Sequence, residues 1–340
     1  MKNKSINKLS IACLVALTTV SSTWACNASH VLGVGSGNTA TAYTISANTM
    51  DEGGMYVGMN YETLRNKFLT DAAILSALNA GSEHLHGVDA VNTFALSASY
   101  GITNDLTVNV QLPFTSRKGI RAGEDDGGGP EVHRHNDVEE LGDMAALFQY
   151  KVYDQDKFKV ALLGGFKAPT GVDDDTFEGE ILETDLQSGT GSWDFFAGVA
   201  VTKDFEDFSL HSDFLYKYNG KGARSSELGD VFTYNVALSY NLIGHESHKL
   251  LKGLDEENHS GYSLDTFVEL NGEIADEDHF DGVQAANTGH HVIYATTGLS
   301  LSTEENYSLF FAISVPVYQD MKGEQNYISY RSTFGIGKSF

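Results

Sequence analysis

Through most of the chain, hydrophobic and polar positions alternate with a period of two. In "YISYRSTFGIGKSF" (327–340), Ile328, Tyr330, Ser332, Phe334, Ile336, Lys338 and Phe340 share one face, and Ser329, Arg331, Thr333, Gly335, Gly337 and Ser339 share the other. An apolar, aromatic face opposite a small, polar one suits a strand with lipid on one side and water on the other. The same pattern recurs in "FALSASY" (94–100), "LTVNVQLPF" (106–114), "FSLHSDFLYKY" (208–218), "FTYNVALSY" (232–240) and "YSLFFAISVPVY" (307–318). Soluble sandwiches alternate too, but with more charge on the polar face and fewer aromatic residues at the strand ends.

The connections alternate as well. Short polar turns stand at 101–105, 153–157, 203–207 and 302–306. Between them lie long hydrophilic loops at about 63–90, 115–141, 169–189, 219–230, 273–288 and 319–326. Short turns on one rim and long loops on the other predict an all-β fold, a transmembrane antiparallel up-and-down β-barrel of roughly twelve strands over 53–340. One stretch, 241–261, is long where a short turn is due; it is either an extended turn or a missed pair of strands. Loop 63–90 contains "FLTDAAILSALNAG", which predicts a short helix starting near Thr70 or Asp71 that could act as a lid.

The start of the chain has a different character. Lys2, Lys4 and Lys8 precede an apolar core, "LSIACLVALTTV", and "SSTWA" follows, the order of a secretory leader with cleavage near Ala25. Residues 26–52 then form an N-terminal segment that could tuck into the lumen. Cys26 stands at the expected mature start, and lipidation there is the less favoured alternative because Thr23-Trp24-Ala25 poorly matches a lipidation signal. With Cys13 in the leader, no intramolecular disulfide framework can form.

Composition supports strands over helices: 35 Gly, 16 Tyr and 19 Phe against 4 Pro. No later segment offers the ~20 apolar residues a membrane helix needs. The formal charge is −24, and loss of the leader lysines makes the chain more acidic still, which argues against nucleic acid as a partner. The terminal Gly337-Lys338-Ser339 is not a phosphate loop, because Ser332 stands where Gly is required and no helix can follow. Gly33, Gly35 and Gly37 lack the strand and helix of a dinucleotide fingerprint, so no cofactor is expected.

Gly142-Asp143 opens one strand, Lys167-x-Pro169-Thr170-Gly171 closes the next, and Gly189-x-Gly191-Ser192-x-Asp194 opens a third. This pattern resembles the outer-membrane transporters grouped under the MetA pathway of phenol degradation. The resemblance spans about 90–340 and is strongest over 140–205. It implies a single-chain barrel in the bacterial outer membrane for passive passage or uptake of small molecules, hydrophobic or aromatic ones included. It names no particular solute.

By parity, the inward charges and candidate selectors are Asp143, Lys151, Lys167, Asp194, His211, Asp213, Lys217, Asp265, Glu269 and Arg331. Structural ion pairing is the bland reading of the same set. His84, His86, His133 and His135 lie in loops with nearby acids and are candidates for weak divalent-cation capture, although no metalloenzyme spacing is present. The expected partners are outer-membrane lipid, a small-molecule solute and, through the strand ending in Phe340, the barrel-assembly machinery. A plugged barrel that presents its loops for binding or adhesion is the alternative. An outer-membrane hydrolase is a weaker one, since neither Gly-x-Ser-x-Gly nor Ser-x-x-Lys occurs in a convincing setting.

Overall fold

The computed structural model describes residues 41–79, 86–124, 129–177, 180–182, 184–206, 208–243, 261–285 and 288–340. The leader, Cys26, His84 and most of the 241–261 stretch lie outside the described residues. Twelve strands form the wall. They are β1 (Met55–Asn66), β2 (Ala90–Thr103), β3 (Leu106–Lys118), β4 (Met144–Gln155), β5 (Phe158–Ala168) and β6 (Asp194–Asp204). The other six are β7 (Phe208–Tyr218), β8 (Val231–Ile243), β9 (Tyr262–Ala275), β10 (His290–Thr303), β11 (Tyr307–Met321) and β12 (Ile328–Ser339). Each pairs antiparallel with its sequence neighbours, and β12 returns to pair with β1, with Glu62 opposite Thr333. Closure removes both sheet edges, the condition for strands to survive in hydrocarbon.

β8 and β9 bond directly to each other, from Val231 opposite Ala275 to Ile243 opposite Leu264, so no further wall strand intervenes at 241–261. Side-chain parity follows the sequence. Phe94, Leu96, Phe214, Tyr216, Phe311, Ile313, Phe334 and Ile336 are exposed on the outside, where lipid would cover them. Asn60, Gln149, Lys167, His211, Asp213, Glu269 and Arg331 are buried on the inside.

The interior is filled from both ends. Residues 41–50 enter from the short-turn rim and run up inside the wall to mid-height. Ile45 and Ala47 pack there against Ala145, Leu147, Ala161, Leu163, Phe196, Ala200 and Leu215, an apolar patch on the inner faces of β4–β7. At the long-loop end, Val88, Ile120, Val138, Leu182 and Leu186 from three loops form a second cluster. The loop helix α1 (Asp71–Asn79) starts at Asp71 and buries Ile74 and Ala77 beside Leu69, Leu78 and Val132. It therefore braces the outer loops, while Leu182 and Leu186, from the loop after β5, contribute to the covering cluster at the long-loop end.

Candidate functional site

Two groups of inward-facing charges divide the lumen. The upper group lies at the long-loop ends of β4–β7. Lys167 Nζ contacts Asp143 Oδ2 at 2.6 Å and Asp194 Oδ2 at 3.0 Å, and Lys217 Nζ lies 3.6 Å from the same Asp194 oxygen. Asp143 also accepts the Gly171 N–H at 2.9 Å and the Thr190 N–H at 3.0 Å. Asp194 Oδ1 accepts the Ser192 hydroxyl at 2.7 Å and the Gly220 N–H at 3.2 Å. Two ammonium groups and two carboxylates thus neutralise one another out of contact with water. They clasp the loop after β5 over the mouth, where Arg117 also donates to Ser188. The clasp needs glycine: a Cβ on Gly171 would collide with Gly142 and Gly189 backbone, and one on Gly189 with Gly171.

The lower group seats residues 41–50. The backbone N–H groups of Ala42, Tyr43 and Thr44 all donate to the Glu269 carboxylate, and the Thr44 hydroxyl adds a fourth bond at 2.8 Å. Ile45 N–H donates to Asp213 Oδ2 at 2.8 Å, Ala47 N–H to Thr202 at 2.9 Å and Met50 N–H to Thr107 at 2.8 Å. Gln149 Nε2 donates to the Ser46 and Asn48 carbonyls. A stretch without helix or strand pairing therefore satisfies its backbone on wall side chains. At its upper end, the Tyr43 hydroxyl donates to Glu62 Oε2 at 3.0 Å and bonds Thr333, which itself donates to Glu62 at 3.2 Å. The Arg331 guanidinium lies over the Tyr43 ring at 3.6 Å and over the Tyr294 ring at 4.3 Å.

The residues singled out by parity separate in space. Asp143, Lys167, Asp194 and Lys217 make the clasp; Asp213, Glu269 and Arg331 make the seat. His211 contacts Thr202 at 3.0 Å and Ser239 at 3.2 Å, so that a hydroxyl meets each ring nitrogen. Lys151 joins neither group. It lies at the short-turn rim, 3.0 Å from Asp154 and 3.5 Å from Asp105. Asp265 is held near the same rim by Asn241 and Ser263. Of the loop histidines, His86 lies 3.5 Å from Asp185, while His133 pairs with Ala122 in a loop hairpin and His135 donates its backbone N–H to Ile120. Among the described residues, no group of three or more His, Cys, Asp or Glu side chains is placed to hold a metal ion.

Above the wall, the Asp278 carboxyl takes the Gly229 N–H at 2.7 Å. Desolvation in the loop packing pushes it up to about 6, with Asp185 adding to the rise and Gly229, His290 and His279 opposing it.

Tyr43, Glu62, Tyr294 and Thr333 were not among the candidates. Parity applied to β1 would have placed Glu62 inside with Tyr56 and Asn60. Nothing in the local pattern marks Tyr43.

A closed antiparallel barrel with an apolar exterior, short turns on one rim and a charged interior is a transmembrane barrel of the bacterial outer-membrane class. The chain belongs to the family of the MetA pathway of phenol degradation, whose model matches residues 88–331. The match leaves β1 and residues 41–50 outside. The COG4313 outer membrane channel from Pseudomonas putida F1 shares the fold, with a TM-score of 0.57 at 13% identity over 86% of this chain and 98% of that one. The P. putida toluene transporter TodX gives 0.43 at 11% identity, over 94% of this chain and 96% of its own. The CymD monoaromatic hydrocarbon channel gives 0.40 at 11% identity, over 86% of this chain and 89% of its own. No curated protein matches the chain in sequence.

Proposed function

We propose that the protein is an outer-membrane channel for small molecules and that the conformation described is its closed state. One observation carries this reading. The stopper, residues 41–50, is held mainly by hydrogen bonds to wall side chains rather than by strand pairing, so it can leave without breaking the barrel. Withdrawal would expose the polar groups that now hold the stopper, Thr107, Gln149, Thr202, Asp213 and Glu269, beside the apolar patch of Ala145, Leu147, Leu163, Phe196 and Leu215. The test is planar-bilayer conductance of the leader-free protein against a variant lacking residues 26–47. The expected result is at least a tenfold rise in steady current for the variant, with folding verified by heat-modifiable migration.

The same stopper favours the second reading, a plugged barrel that presents its loops. A folded variant as silent as the parent would establish it. A hydrolase has less support, because among the described residues both His211 ring nitrogens meet hydroxyls, of Thr202 and Ser239, and Thr202 also accepts a stopper N–H. Cleavage near Ala25 and handling of the chain by the barrel-assembly machinery complete the proposal. The latter rests on Phe340, whose backbone pairs with Met55 across the closing seam. Loss of Phe340 would lower the yield of assembled barrel.

A further inference from the structure

We propose that the outer wall, where β1 meets β12 and β2 at the long-loop end, binds the phosphate of an outer-leaflet lipid. Arg65 and Lys67 form the site, with Lys118 at its flank. The inference goes beyond the channel reading and holds for an open or a plugged barrel alike.

The site follows from where the wall puts its scarce cations. The chain has 22 Lys and Arg against 46 Asp and Glu. Lys151, Lys159, Lys167 and Lys217 each pair with an aspartate. Arg65 and Lys67 differ, because neither pairs with a carboxylate among the described residues. Both are accessible, Arg65 partly and Lys67 fully. A cation left unneutralised on so acidic a chain points to an anion outside it.

Strand register fixes their height. Tyr61, Phe94, Phe114 and Phe334 stand level on four adjoining strands, all exposed on the outside. A row of exposed rings near the end of a barrel marks where hydrocarbon gives way to headgroups. Four residues further toward the long loops, Arg65 returns to the same face, opposite Tyr330 of β12 and Ala90 of β2. Ala90 in turn lies opposite Lys118 of β3. Arg65 and Lys118 are thus two strand spacings apart, about 10 Å, and their side chains can converge on one phosphate. Lys67 follows Arg65, with its Nζ 5.8 Å from the centre of the Tyr327 ring. Lys118 is already drawn to Glu139 at 3.1 Å and Asp137 at 3.9 Å, so it steers while Arg65 and Lys67 bind. A guanidinium offers phosphate two parallel N–H donors, and an ammonium beside it adds a point charge.

The far side of the same rim is acidic. By parity Asp230, Asp276 and Asp320 face outward there, next to the long-loop ends of β8, β9 and β11. An anionic headgroup meets that side through a bridging divalent cation, whereas at Arg65 it needs none. A headgroup held at Arg65 and Tyr330 touches the first and last strands at once, and so fastens the closure of the barrel.

The probe is diphosphoryl lipid A, compared with its dephosphorylated form, on the full mature chain in detergent with a chelator present. Native mass spectrometry reads the bound fraction. The unmodified protein should hold the phosphorylated lipid at least tenfold more tightly, a comparison that needs no variant to fold. Arg65→Gln combined with Lys67→Gln should weaken that binding at least tenfold, and each single change should weaken it at least threefold. Lys221→Gln, in the loop between β7 and β8 across the barrel, should change it less than twofold. Four results would overturn the proposal. They are equal binding of the two lipids, loss of binding in chelator, an equal loss with Lys221→Gln, and displacement of the lipid by inorganic phosphate. The last would make the site one for the free anion.

Discussion

The clasp at the mouth and the seat at mid-height are both buried charge clusters facing the same lumen, yet they are satisfied in opposite ways. In the clasp, two carboxylates meet two ammonium groups, all on wall strands or at their ends, and the pairing is complete without any removable part. In the seat, Glu269 and Asp213 each keep one wall donor, Asn271 and Asn235, but take most of their hydrogen bonds from residues 42–45, a segment held by no strand pairing. A buried carboxylate stripped of its donors must be rehydrated. On the channel reading proposed above, departure of the stopper and entry of water are one event, while the clasp, which takes no donor from the stopper, stays dry. Inward charge in a barrel does not by itself mean a selectivity filter; what matters is whether its partner is fixed.

The sharpest break in this comparison is Lys167→Met. It strands Asp143 and Asp194 without their shared cation and should cost about 3–5 kcal/mol, read as a lower melting temperature of the folded band. If the clasp were instead a hydrated selectivity filter, the melting point would hold and ion preference would change. A smaller effect is expected at the seat. Glu269→Gln keeps the shape but removes the charge that strengthens three N–H bonds, weakening the seat by about 1.5–3 kcal/mol. That loss should appear as roughly a tenfold or greater gain in open probability, with little change in barrel melting. The smallest effect concerns the loops. Because folding raises the Asp278 carboxyl from 3.8 to about 6, its contribution is fully present below 3.8 and declines as pH rises through about 6. Protease nicking of 276–289 should increase over that interval, and Asp278→Asn should flatten the dependence.

The wall was legible in the sequence because lipid enforces a strict rule on every second residue. Phe334 and Ile336 point outward and Arg331 and Thr333 inward for one reason, and short turns alternating with long loops set the strand count. The family pattern was legible too, but its purpose was not. Gly142, Gly171 and Gly189 meet backbone to backbone only after the loop between β5 and β6 folds back, and one-dimensional spacing cannot show that closeness. Lys151 illustrates the limit of parity. It faces inward by count, yet its height puts it at the rim beside Asp105 and Asp154. Tyr43 lay beyond reach for a different reason. It belongs to no strand or helix, and its position is decided by five strands remote in sequence.

The seat also dictates an order of assembly. Glu62 on β1 and Thr333 on β12 become neighbours only when the first and last strands zip together. Residues 41–50 precede every wall strand and leave the ribosome before any of them, but the pocket for Tyr43 does not exist until the final strand has been placed. The segment made first must wait, unfixed, while the whole wall forms around it, and it settles last. Barrel closure is thus the checkpoint for sealing: an unfinished barrel has no means to seat its own stopper, and a finished one acquires it without further help.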